Sequence, residues 1–340
     1  MRIGFLGAGR IGGFHAAALA GTDGVDDLLI GDADAGRAAE VAERVGARAA
    51  ASVEAVFEGG IDALVIATPT VTHAELITRA ARAGLPTYCE KPIALDLAGT
   101  VRALREVEQA GTMLQMGFQR RFDAGYRAAR EALRSGRLGR VHTLRAVTSD
   151  AAPPPPEFLP HSGGLIRDCL VHDFDAVRWL TGREVVEVFA SGSAGGAAFF
   201  QEAGDVDTAA ALLTLDDGTL VTATATRYNG AGYDVRMELS GDRDQFVVGL
   251  DDRTPFTSAE PGGPPGPARP WANFLERFEA AYRAELAAFV KAARGEAPNP
   301  CSGQQALYAL LVAEACELSR LEHRPVLLTE ITKRMSDLEA

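Results

Sequence analysis

Cysteine is scarce. Cys89, Cys169, Cys301 and Cys316 are the four in 340 residues, and they are scattered. With no CxxC pair and no tight cluster, a disulfide framework and a thiolate metal site are both excluded, and reduced, mostly buried thiols are expected. Histidine is nearly as rare: His15, His73, His142, His161, His172 and His323 contain no HxxxH or HExxH spacing. No zinc helix is marked, and no metal is expected. Basic charge does not dominate, since 34 Lys and Arg against 46 Asp and Glu leave a net charge of -12. That balance, at a sequence pI near 5.1, argues against a nucleic-acid or anionic membrane partner. No apolar run approaches about eighteen residues. The apolar part of MRIGFLGAGR is too short for a signal peptide, so a cytoplasmic protein is expected. Internal repeats are lacking too.

What is present is globular: 47% hydrophobic and 24% charged residues at a length that suggests two domains. Over the first 120 residues short apolar runs alternate with helical patterns. RIGFLG precedes an Ala-rich segment to Ala20, DDLLIGD precedes Ala35 to Val45, and DALVIATP precedes His73 to Ala83. PTYCEKP then precedes Ala98 to Ala110, and TMLQMGF follows. Strands that are apolar throughout and alternate with helices predict a parallel, doubly wound α/β sheet.

Beyond about residue 140 the rhythm changes to VHTLRAVTSD, EVVEVFASG, DTAAALLTLDDGTLVTATATRY and YDVRMELSG, with a hairpin signal at Asp217-Gly218. This predicts an α+β domain with a mostly antiparallel sheet and a few helices. The expected boundaries are 1–120 and 121–330, with a C-terminal segment able to pack back on the first domain. Pro153 to Pro156 and PGGPPGPARP (261–270) predict loops, and helical patterns return over 273–294 and 303–321.

GAGRIG, Gly7 to Gly12, follows a predicted strand and opens a predicted helix, and Asp32 ends the second strand run twenty residues on. Gly7, Gly9 and Gly12 allow a tight turn and a close backbone approach to a pyrophosphate, with Arg10 and Ile11 opening the helix. An acid at Asp32 accepts ribose hydroxyls and repels a 2′-phosphate, which favours NAD over NADP. Arg37 is the counterweight, as a guanidinium that can bind that phosphate or lie along the adenine.

CEKP ends the fifth strand run, where open α/β sheets bind ligands. Lys91 reads either as a solvated lysine entering a loop or as a site lysine whose direction is set by Pro92. In GGLIRDCLVHDFDAVRWLTG (163–182), Leu170, Phe174, Val177 and Leu180 have the spacing of a buried helix face. Asp168, His172 and Asp175 recur at i, i+4, i+7 on another face. A carboxylate one turn from an imidazole can orient it and stabilise its protonated form, which suits His172 to accept an alcohol proton. Zinc ligation by Asp168 and His172 is the rival reading. Asp173 falls among the apolar positions, and the pattern gives it no role.

GAGRIG, ATPTVTH, CEKP, GFQRRFD and SGGLIRDCLVHDFDAVRWLTG, in this order and across nearly the whole chain, resemble the glucose-fructose oxidoreductase / inositol dehydrogenase / MocA family. TSDAAPPPPEF, EAGDVDTA, GYDVRME and FLERFEAAYRAEL look most like its inositol 2-dehydrogenases. The resemblance implies an N-terminal Rossmann domain and homo-oligomers, tetramer or dimer, formed through the C-terminal sheet. It implies Lys91 bonded to the reacting hydroxyl, with Asp168 and His172 completing the catalytic set and His172 as base. By motif position Arg120, Asp150, Asp175 and Tyr233 would contact a polyol, and Thr68, Pro69, His73 and Glu90 would line the nicotinamide side. Gln119, where related enzymes often carry Met, and Cys169-Leu170, in place of a more polar or Met-Thr pair, depart from the pattern near substrate. The activity implied is NAD-dependent oxidation of a cyclic polyol, with myo-inositol to 2-keto-myo-inositol as the leading choice. Another inositol isomer or a pyranose is the alternative, and a non-catalytic NAD-binding sensor is the rival from another class.

Overall fold

The computed structural model describes residues 1–339 as two compact units, Met1–Phe122 with Ala280–Leu307 and Asp123–Glu279 with Tyr308 onward. In the first unit, β1 (Arg2–Leu6), β2 (Asp27–Gly31), β3 (Arg48–Ala49), β4 (Ala63–Ile66), β5 (Thr87–Glu90) and β6 (Leu114–Gly117) form one parallel sheet of order β3-β2-β1-β4-β5-β6. Between the strands run α1 (Arg10–Ala20), α2 (Ala35–Val45), α3 (Val53–Phe57), α4 (His73–Arg82) and α5 (Leu97–Ala110). Side-chain carboxylates start α2 and α5: Asp34 accepts from Arg37 N and Asp96 from Gly99 N. Ile3, Phe5, Ile30, Val65 and Tyr88 of the strands pack with Leu19 of α1, Val41 of α2 and Leu286, Phe289 and Val290 of the later helix Glu279–Ala293. Each such large side chain, fully buried, contributes about 1.5–3 kcal/mol.

The second unit holds a seven-stranded sheet. Its strands are β7 (Val141–Ser149), β8 (Val185–Ser193), β9 (Thr208–Leu215), β10 (Leu220–Thr226), β11 (Asp234–Gly241), β12 (Gln245–Val248) and β13 (Val326–Leu327), in the order β12-β11-β7-β10-β9-β8-β13. The turn at Asp217-Gly218, with Gly218 at φ 83°, joins β9 to β10 as the hairpin signal predicts. Five of the six pairings are antiparallel, while β7 and β10 run parallel, with Ser149 beside Thr226.

The helix holding Asp168 and His172 departs from the predicted regular α spacing. Ile166–Leu170 form a π-helical turn, and only Val171–Thr181 are α-helical. The i, i+4, i+7 row thus begins in a wider turn, a feature frequent at functional sites. Leu170, Phe174, Val177 and Leu180 are buried as their spacing predicts, but so is Asp175, at 2% exposure. Asp173, fully buried, accepts a 2.8 Å bond from the Thr148 hydroxyl and so pins the helix to β7.

Candidate active site

In the first unit the loops after β1, β2, β4, β5 and β6 all leave the carboxyl edge of the parallel sheet, because the registers set Leu6 beside Gly31 and Ile66, Ile66 beside Cys89, and Cys89 beside Met116. That edge carries GAGRIG, Asp32, Thr68-Pro69, Lys91 and Gln119-Arg120. Gly7, at φ 101°, lies so near the Ala67 backbone that a Cβ would collide with it, and a Cβ on Gly12 would strike the Gly7 carbonyl. Over Gly9, by contrast, nothing lies within 4 Å of a would-be Cβ. Gly9 is also the N-cap of α1 and offers no side-chain cap. Open space above exposed helix-start N–H groups fits a pyrophosphate. Asp32 braces the loop, accepting from Ala8 N at 2.6 Å and from Asp34 N at 2.9 Å, and its unfilled lone pairs can take ribose hydroxyls. Arg37 leans on Asp32 and Asp34 at 3.8 and 3.6 Å.

Lys91 is half-buried in the turn after β5, joined to Pro92 by a cis peptide. Gln119 and Arg120, on the short turn after β6, are buried. His73 is buried too, with Nδ1 2.7 Å from the Pro92 carbonyl and Nε2 2.8 Å from that of Thr68. Burial pushes its pKa down while both carbonyls, which only a doubly protonated ring could satisfy together, pull it up; the ring links the turn after β4 to the turn after β5.

Behind Lys91 lies a buried chain of polar groups that the sequence did not reveal. Glu90 Oε1 is 2.6 Å from His15 Nε2 and 3.1 Å from the Tyr88 hydroxyl, which is also 3.1 Å from Glu285 Oε2. Burial works to raise the Glu90 pKa, but His15, Lys91 and Tyr88 outweigh it and hold it below the usual carboxylate range. For Glu285, burial and then the Glu90 charge push the pKa well above that range. Tyr88 has one proton to give, so it donates to ionised Glu90 while protonated Glu285 donates to Tyr88. A raised folded-state pKa adds stability below the unfolded value near 4.5, and that contribution is lost as pH rises toward the folded value. Glu285→Gln keeps the donor and removes the titration. Its melting temperature is therefore expected to fall less as pH rises from about 4.5 than that of the unmodified protein, measured by calorimetry; parallel curves from that pH upward would mean Glu285 is ionised in the folded state.

In the second unit the strand registers gather the other candidates. Parallel pairing of Ser149 with Thr226 sets the next residues, Asp150 and Arg227, side by side, and antiparallel pairing of Ser149 with Asp234 brings Tyr233 to the same edge. Arg227, 3% exposed, donates from Nη1 to Asp150 at 2.8 Å and from Nη2 to Asp168 at 2.7 Å. Burial opposes its charge, but Cys169, Asp168 and Asp150 outweigh that and push the Arg227 pKa further up. His172 stands one turn past Asp168 and is partly exposed.

Residues 1–118 match a model of the oxidoreductase family with NAD-binding Rossmann fold, and residues 126–247 match the GFO/IDH/MocA C-terminal domain. The chain belongs to the GFO/IDH/MocA oxidoreductase family. It is 40% identical over 320 residues to a myo-inositol dehydrogenase of Streptomyces leeuwenhoekii, covering 92% of this chain and 96% of that protein. A myo-inositol 2-dehydrogenase of Thermotoga maritima is 36% identical over 333 residues, 97% of this chain and 99% of the other. Among solved structures, a scyllo-inositol dehydrogenase from Lactobacillus casei with bound NAD(H) and scyllo-inositol is 27% identical and aligns with a TM-score of 0.87 over 97% of this chain and 99% of the other.

As a member of this family the chain is an oxidoreductase with an NAD-binding Rossmann domain, the fold class its strand-helix alternation predicts. Arg227 escaped the sequence reading because its partners lie 77 and 59 residues away. The one local signal was an arginine ending the alternating run TATATR, at the position where an apolar-inward strand leaves the core.

Proposed function

We propose that this chain is an NAD-dependent inositol 2-dehydrogenase that oxidises myo-inositol to 2-keto-myo-inositol. Full-length likeness to inositol dehydrogenases supports the class. The observation that carries the substrate reading is the edge where Asp150, Tyr233 and Arg227-bound Asp168 gather one turn before His172. A ring bearing several hydroxyls needs just such a set of acceptors and donors. In this reading Lys91 holds the reacting hydroxyl, His172 takes its proton, and Asp168 orients the imidazole. When bound, the cofactor supplies the hydride acceptor. Gly7, Gly9, Arg10, Ile11 and Gly12 would hold its pyrophosphate and Asp32 its ribose. Thr68, Pro69 and Lys91 would face the nicotinamide side, with His73 and Glu90 bracing it. Gln119, Arg120, Asp150, Asp175 and Tyr233 are assigned to the polyol side. The test is absorbance at 340 nm on mixing the protein, NAD and a panel of cyclitols and pyranoses, with myo-inositol expected to turn over fastest. Binding of NAD without turnover of any panel member would leave a sensor.

For the cofactor, kcat/KM with NAD is expected to exceed that with NADP, because the Asp32 carboxylate repels a 2′-phosphate and Arg37 is drawn toward Asp32 and Asp34. Asp32→Ala should narrow the ratio, and equal use of both cofactors by the unmodified enzyme would refute the assignment.

The partner assigned to the open sheet face is a second copy of this chain. Phe189 of β8 and Leu212 of β9 are cross-strand neighbours on that face, and both are exposed, as is Leu220 of β10. Large apolar side chains grouped on an alternating strand surface mark an interface. Leu212→Arg is expected to lower the mass found by light scattering; an unmodified protein that runs as a monomer would overturn the assignment.

A further inference from the structure

Two carboxylates beside each other in a poorly solvated site repel, and one of them tends to take up a proton. Asp150 and Asp168 come from β7's end and from the π-helical turn, and nothing in the sequence joins them. One guanidinium does, bonding an oxygen of each at 2.8 and 2.7 Å. Its planar fork sets direction as well as charge, which a lysine cannot do. Arg227 is held in turn by its backbone N–H, bonded to the Asp207 carbonyl at 2.8 Å. Its Nε is buried and has no acceptor among the described residues. Both terminal nitrogens are thus directed at the two carboxylates.

We infer that Arg227 is a positioning residue of the reaction: it clamps Asp150 and Asp168 in one arrangement, so that the acceptor one turn before His172 is aimed before substrate arrives. Asp150, besides its place on the polyol side, is then the other half of the clamp. The inference rests on the polyol dehydrogenase reading. It predicts an effect on turnover larger than on binding, since a misdirected Asp168 no longer orients the base in the transition state.

The experiment is steady-state kinetics of Arg227→Ala, Arg227→Lys and Asp150→Asn with myo-inositol and NAD, alongside NAD affinity by fluorescence. Arg227→Ala should lose at least about fiftyfold in kcat with KM changed less than about fivefold, as for loss of a group acting in the transition state. Added guanidinium chloride at millimolar concentration should restore part of that loss while leaving the unmodified enzyme no faster. Arg227→Lys, the variant that keeps the charge should the alanine variant fail to fold, should lose at least about tenfold in kcat. Asp150→Asn should lower kcat in the same sense and add little when combined with Arg227→Lys. Unmodified kcat in Arg227→Lys, or a folded Arg227→Ala that guanidinium does not rescue, overturns the inference. Absence of turnover by the unmodified enzyme on every panel member overturns the reading beneath it instead.

Discussion

Lys91→Ala is expected to lower kcat with myo-inositol by at least about a hundredfold, the low end of what one positioned proton-handling or charge-stabilising group contributes. The turn after β5 presents Lys91 at the carboxyl edge of the parallel sheet, where that architecture binds its ligands. The buried groups behind it, Glu90, His15, Tyr88 and Glu285, hold the strand end from below. Of the 34 basic residues only Lys91, Lys291 and Lys333 are lysine, so a compact ammonium has been kept where arginine is otherwise the rule. An ammonium can donate to a hydroxyl and to the carbonyl it becomes, whereas an always-charged planar guanidinium is larger and less easily directed at a single oxygen. NAD affinity should change little, because the loop and acid assigned to the pyrophosphate and ribose are untouched. The check is kcat, KM and NAD binding on a variant whose circular dichroism matches the parent. Near-normal turnover in that variant would remove Lys91 from the mechanism.

The parallel sheet was legible because its main strands, four or five residues long, are mostly apolar and alternate with Ala-rich helical patterns. What was not legible is short or set by distant pairing. β3 is two exposed residues and β13 is two residues at the opposite end of the chain, lengths at which no period exists. The helical pattern over 273–294 is two helices, with a break at Phe278 where the division between the units falls. In the second sheet the hairpin at Asp217-Gly218 was visible as a turn signal, but the parallel pairing of β7 with β10 was not. That pairing is what brings Arg227 to Asp150. The acids followed the same rule. Asp168 and His172 announced themselves by spacing, while Glu285 in an Ala-rich helix reads as a solvated residue until the fold buries it against Tyr88. The π-helical turn was hidden for a different reason: an i, i+4 spacing suits either helix type, and nothing in IRDCL signals the wider one.

His172→Ala should have the most informative large effect, a loss of kcat on the order of 10² to 10⁴ with KM changed far less. The reason lies in where the residue stands. The turn before it carries Asp168, whose carboxylate is held by Arg227, and the residue is partly exposed, which leaves room for a substrate hydroxyl. A catalytic base must be unprotonated to accept the hydroxyl proton, so kcat/KM should fall at the acid end of the profile. Removing the ring should therefore flatten the acid limb along with lowering the plateau. Asp175→Ala should behave differently: this carboxylate is 2% exposed one turn further on, and its loss is expected to raise KM for the polyol more than it lowers kcat. The same row sets the substrate range. Acceptors arranged for a polyhydroxylated ring are left unpaired by a monohydric alcohol, and a site of that kind rejects the analogue lacking the hydroxyls by about 10⁴ or more. Kinetics of both variants and the parent from about pH 6 to pH 10, with myo-inositol, the best other cyclitol and ethanol, test all three expectations together. Full activity of His172→Ala across that range would assign the base elsewhere, and comparable turnover of ethanol and inositol by the parent would make the acid row structural.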